Sequence, residues 1–249
     1  MDKEIPVLDA FFSEYLGCDI SNIVPGHTCI TTSPTQEQNA FALWMLITQS
    51  RCIVSARGRL FKTVSRLAHT LGIERTRDPI AVKKFVIAAA KSLGIKKGVS
   101  STSGPVLYCT PETLRIARLH PCRSVNRFNI AAVKATGLCS PWLDKSISEG
   151  TCFAAWDEDK PVSLAGTCMV PHMADEVAEM SVPGTLAPYR GKGFGRTAVS
   201  HATEAVLKQN KVPVYITSDR NVASIATARS VGYRQYGWQY RVQLPARKQ

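Results

Sequence analysis

Arg190-Gly191-Lys192-Gly193-Phe194-Gly195-Arg196 sets three glycines at alternate positions among three cations, directly ahead of an amphipathic run. The first N–H groups of a helix have no acceptor within it and carry partial positive charge. An anion can dock on them when no Cβ blocks the approach, and the cations here add full charges around the same spot. A pyrophosphate is the natural guest of such a loop. Two common phosphate-loop patterns do not fit. A Walker loop requires Gly-Lys-Ser/Thr after a four-residue gap, and this stretch reads Gly-Phe-Gly-Arg-Thr. A dinucleotide loop requires Gly-x-Gly-x-x-Gly, and here the third glycine arrives one position early. Arg-x-x-Gly-x-Gly is what remains.

The elements around the loop can be read from periodicity and turn residues. Thr151–Trp156 and Pro161–Val170 read as a hairpin about Asp157–Lys160, and 176–185 as a third strand broken at Pro183-Gly184, where a bulge is expected. After the glycines, Phe194, Ala198, Ala202, Ala205 and Val206 mark a helix, Val212–Thr217 a strand, and Val222 to Arg229 a helix stopped by Gly232. A short final strand follows. Upstream lie a short strand at Arg123 and a helix over 126–136. Antiparallel strands followed by strand–helix–strand–helix–strand make a mixed α/β sheet.

The first hundred residues read as mostly helical. Ile5 to Leu16 form one stripe ending at Gly17, and "SPTQ" at Ser33 predicts a helix running through Trp44 and Ile47. "RCIVSA" at 51–56 predicts a strand, Leu60–Leu71 a helix, and 78–94 a helix between Asp78 and Gly94. "KKGVSSTSGP" at 96–105 reads as a linker, "VLYC" as a strand and "TPETLRIARL" at 110–119 as a capped helix. The expected division is a mostly helical segment over 1–105 and an α/β domain over 106–249. No nucleophile–base pair or phosphate loop is readable in the first segment.

Lys and Arg outnumber Asp and Glu 31 to 19, a net charge of +12. The excess is spread evenly along the chain, which favours an anionic ligand over a nucleic-acid arm. No dedicated nucleic-acid or membrane binding is expected, since no reading motif, secretory leader or spanning segment is visible. The eight cysteines show no Cys-x-x-Cys and no partner His pair, so they predict buried thiols in a cytoplasmic protein and no metal site.

In its context the loop gains meaning. "EGTCFAAW", "PVSLAGT", "TLAPYRGKGFG" and "NVASIATARSVGY" resemble the GNAT superfamily of N-acetyltransferases, in the branch with an additional N-terminal region. The resemblance covers about residues 120–240, and 1–119 only faintly, as a helical or degenerate GNAT-like half. It implies the GNAT fold: a central mixed, mostly antiparallel sheet in which two parallel strands splay apart, flanked by helices. It implies acetyl-CoA as co-substrate and direct transfer to a primary amine of a small molecule, peptide or protein, with a homodimer left open. The strand through Val182, Thr185 and Leu186 would hold the pantetheine and acetyl group, Arg190 to Arg196 the pyrophosphate, and Asn221 and Ser224 the coenzyme from the last helix. Glu179 is the first candidate base, with Glu176 and His172 as alternatives. Many family members have a tyrosine seven residues after the Asn to protonate the leaving thiolate, whereas here that position is Ala228, so Tyr233 or Tyr215 would serve, or no side chain would. A noncatalytic acyl-CoA-binding or sensing module is the alternative function.

Overall fold

The computed structural model describes residues 5–32, 41–72, 79–92 and 101–243. The chain divides into two units, Met1–Pro105 with Tyr236–Gln249, and Val106–Gln235. The strands are β1 (Thr28–Thr32), β2 (Phe41–Thr48), β3 (Cys52–Ala56), β4 (Ser101–Tyr108), β5 (Cys122–Ser124), β6 (Phe153–Asp157), β7 (Lys160–Thr167), β8 (Val177–Thr185), β9 (Val212–Ile216) and β10 (Arg234–Gln243). The α-helices are α1 (Pro6–Leu16), α2 (Phe61–Thr70), α3 (Pro79–Ser92), α4 (Ile130–Ala135), α5 (Leu143–Ser148), α6 (Phe194–Lys208) and α7 (Val222–Val231).

In the second unit the strands lie in the order β4-β9-β8-β7-β6-β5. β6 and β7 form the expected hairpin, with Ala154 opposite Leu164. β7 and β8 are antiparallel, while β8 and β9 are parallel because α6 returns the chain to the starting edge. α6 buries Phe194, Ala198, Ala202 and Val206, four residues apart, against β6 and β7. The two alanines in this stripe let the helix approach closely. α4 and α5 contribute Val133 and Leu143 to a separate core cluster with Ala154, Trp156 and Leu164.

In the first unit the order is β1-β3-β2-β10, with β1 and β3 parallel and the other pairs antiparallel. α1 buries Leu8, Phe11, Phe12 and Leu16 and ends at Gly17, whose φ of 75° closes the helix. The Tyr236 ring stacks on Phe12 at 5.4 Å, and its hydroxyl donates to Asp9 Oδ1 at 2.6 Å.

Three expectations are corrected. Trp44 and Ile47 lie on β2, not on a helix; Ser33 falls outside the described residues. Phe41–Thr48 is an unbroken apolar run paired on both edges, by β3 and by β10, and such a run carries neither helix nor strand periodicity. The linker expected at 96–105 gives way from Ser101 onward to β4, while 96–100, Asp78 and Gly94 are outside the described residues. The helix expected at 110–119 is a single turn at 111–113, after which 114–118 have no regular secondary structure. Thr113 Oγ1 accepts from the Thr110 N–H at 3.1 Å, as a cap does, but the next amides find partners elsewhere. Arg115 donates to the Val231 carbonyl at 2.8 Å and Ala117 to Ser200 Oγ at 3.0 Å.

The end of that turn explains Gly232. A Cβ there would stand 1.8 Å from the Thr113 carbonyl oxygen, and its φ is +108°. Gly232→Ala should therefore destabilise the second unit by about 2–5 kcal/mol, combining left-handed strain with overpacking. Urea unfolding followed by near-UV circular dichroism checks this, and an unchanged midpoint would contradict the close approach.

Candidate active site

Beyond Thr185 the chain makes one tight turn over Ala187–Tyr189 and enters the glycine loop. Arg190 folds back, its Nε donating to the Thr185 carbonyl at 3.1 Å. Gly193, with φ of 91°, is the residue before α6, and no side chain caps the helix there among the described residues. The opening N–H groups of α6 are thus left for an outside acceptor. The three glycines have different reasons to be there. A Cβ on Gly191 would meet nothing, and only its φ of 75° favours glycine. A Cβ on Gly193 would strike Leu119 Cδ1 at 2.7 Å, and one on Gly195 would press Thr185 Oγ1 at 3.0 Å. Internal packing thus accounts for Gly193 and Gly195, where the expectation from sequence was ligand access.

The charges gather as anticipated, with additions. Arg196 Nε is buried and has no hydrogen-bond partner among the described residues. A buried guanidinium nitrogen without an acceptor is costly, and an anion on the loop would relieve it. The Lys192 and Lys160 ammonium groups each lie 5.8 Å from the centre of the Tyr189 ring. An open cleft of about 620 Å³ adjoins this corner, lined by Thr136, Lys160, Leu186 and Tyr189 among others. Lys160 and His120 were not legible as site residues. His120 stands 72 residues from the Lys192 carbonyl it touches, and no local pattern announces such a contact.

Below the loop, the parallel pair opens. The β8–β9 register runs from Val177↔Val212 to Glu179↔Val214 and ends there. β8 continues to Thr185, while Tyr215 and Ile216 pair with β4 on the other side. β8 also bulges. Leu164 faces Gly184 and Gly166 faces Ser181, so Val182 and Pro183 together oppose Ala165. Pro183 suits that place because it has no N–H to pair. Gly184 takes φ of +118°, and Ser163 Oγ holds the strand end, donating to the Gly184 carbonyl at 3.1 Å and meeting Thr185 Oγ1 at 2.8 Å. Met180 is buried and Val182 half-buried in the cluster that includes Phe194.

The acid–base candidates are dispersed. Glu179 is the last β8 residue paired with β9, half-buried at the mouth of the opening. It neighbours Cys168, whose thiol is pushed up to about 12 by burial first and by the Glu179 charge second. Glu176 is exposed in the turn before β8, and His172 lies further back in the same loop, so the structure brings neither to the opening beside Glu179. Tyr233 is 4% exposed, and its hydroxyl shares a 2.9 Å hydrogen bond with Thr203. Tyr215 is buried too, bonded at 2.7 Å to Ser224 Oγ, and burial raises both phenols above their ordinary range. Asn221 caps α7, its Oδ1 accepting from the Ser224 N–H at 3.2 Å. Ser224 and Asn221 are therefore held in local bonds, and Ala228 is fully buried. Among the described residues no group of three or more His, Cys, Asp or Glu could hold a metal ion. Nor is any described helix long and apolar enough to cross a membrane.

Part of the chain is similar to known proteins. Residues 124–233 match the family described as Acetyltransferase (GNAT) family. A GNAT-family acetyltransferase from Colwellia psychrerythraea has a similar fold at a TM-score of 0.51 and 10% identity, over 77% of this chain and 76% of that one. A GCN5-related N-acetyltransferase from Kribbella flavida gives 0.45 and 20% identity, covering 63% of each chain. No match is found among curated protein sequences. The parted strands, the bulge and the start of α6 all lie inside residues 124–233, the stretch that is similar to the GNAT acetyltransferase family, and the first 123 residues precede it.

Proposed function

We propose that this domain transfers the acetyl group of acetyl-CoA directly to a primary amine of a small molecule, peptide or protein. The observation that carries the proposal is the uncapped start of α6 with the buried, partnerless Arg196 Nε beside it, next to a β8 that leaves β9 at Glu179. Gly193 to Arg196 would take the diphosphate on backbone amides and guanidinium. The free edge of β8 from Met180 to Leu186 would pair with the amide groups of the pantetheine arm, as an added strand does. The thioester supplies the acetyl group. A backbone N–H on that edge would stabilise negative charge developing on the acetyl oxygen. Glu179 would take the proton from the attacking amine, directly or through one water. A coenzyme thiol near the ordinary 8.5 can leave as thiolate without a side-chain acid, which suits a site whose nearby phenols are buried and bonded.

A noncatalytic acyl-CoA sensor is the second reading. Ala228 in place of a tyrosine favours it, together with the engagement of Tyr215 and Tyr233 in the core. Release of free CoA thiol across an amine library separates the two. Tight binding with no release on any amine supports the sensor.

Two outcomes are expected of variants. Gly191→Asp puts a negative charge on the loop at a site with open space and a φ that Asp tolerates. CoA affinity, read by calorimetry, should fall roughly tenfold or more, with the melting temperature little changed. Wild-type affinity would remove the loop from the binding site. Glu179→Gln should lower turnover by about a hundredfold while CoA affinity holds. An unaltered rate and pH profile would clear Glu179 of the base role.

A further inference from the structure

We propose that His120, outside the family-matched region, is the positioning residue that aims the loop's amides, an inference resting on the acyl-CoA reading above. The His120 Nε2 lies 2.7 Å from the Lys192 carbonyl oxygen. A carbonyl only accepts, so Nε2 carries the proton and donates. The imidazole also lies flat on Phe194, the first residue of α6, with ring centres 3.6 Å apart and planes inclined by 12°. Leu119, its neighbour, occupies the space a Gly193 side chain would take. The segment that delivers both residues is itself anchored, through Arg115 to Val231 and Ala117 to Ser200.

The consequence follows from peptide geometry. In a planar trans peptide the C=O and the following N–H point in opposite directions. Pinning the Lys192 oxygen toward His120 therefore turns the Gly193 N–H away from it. That peptide turns about ψ of Lys192 and φ of Gly193, and Gly193, at φ of 91°, has no side chain to resist. His120 removes that freedom. It acts through the backbone, as a preorganising contact: the donors are already aimed before an anion arrives, and less ordering is needed on binding.

Two variants divide the contact. His120→Phe keeps a ring over Phe194 but loses the donor. His120→Gln loses the ring but keeps an amide donor at similar reach. In the full-length protein the Gly193 amide resonance should move in His120→Phe and stay near its wild-type position in His120→Gln, with no ligand present. Calorimetry with CoA should show about a tenfold loss for His120→Phe and no more than about a threefold loss for His120→Gln, the size expected for one hydrogen bond. Wild-type CoA affinity in His120→Phe would overturn the proposal. So would equal losses in both variants tracking a fall in melting temperature, the mark of a merely structural role. Because the amide resonance is read without ligand, a failure of CoA to bind the wild-type protein is told apart as a failure of the acyl-CoA reading.

Discussion

A helix that begins without a cap leaves donors that the fold itself does not satisfy. α6 begins in that state at Gly193, and its position is fixed by burial rather than by capping. Phe194, Ala198, Ala202 and Val206 lock the helix onto the sheet, so it cannot shift to find an acceptor. The crossover from β8 through α6 to β9 brings its N-terminus to the end of β8. Strand end and helix start thus share one corner, and a ligand with a diphosphate and an amide-bearing arm can use both.

The second half of the corner is made by a defect in pairing. Regular parallel strands would bond along their length, leaving no edge inside the unit. Here the bulge at Val182 and Pro183 bends β8, and bonding to β9 stops at Glu179. An unpaired edge is ordinarily an aggregation hazard. Ser163 restrains this one by holding Gly184 and Thr185 from the far side, and Ser140 by meeting Ser181 at 2.9 Å. Past Glu179, β8 has no strand partner on its β9 side among the described residues.

These features differ in how far the sequence discloses them. The loop was legible because glycine spacing and helix onset are local, and the bulge because Pro183-Gly184 breaks a strand pattern. Helix stops at Gly17 and Gly232 were legible for the same reason. What was misread depends on distant partners. The run at 41–48 is a strand because two other strands flank it, and "TPETLRIARL" unwinds after one turn because Val231 and Ser200 take amides that a helix would have used. Asn221, expected from the resemblance to contact the coenzyme, caps α7 through its bond to Ser224.

The binding and chemical parts of the corner rest on different physics. The proposed binding would draw on backbone amides, strand edge and a helix terminus, none of which specifies a side chain beyond glycine and a few cations. The proposed proton step would draw on one carboxylate, with no help from Tyr215 and Tyr233, whose hydroxyls are bonded to Ser224 and Thr203. A phenol buried with its bond already satisfied would have to break that bond and cross packed core to reach a thiolate. Loss of an acid is tolerable where the leaving group is itself stable as an anion, whereas loss of the base is not, since a protonated amine has no lone pair to attack with. On the proposed acyl transfer, turnover would therefore depend on the carboxylate at the point where β8 and β9 part.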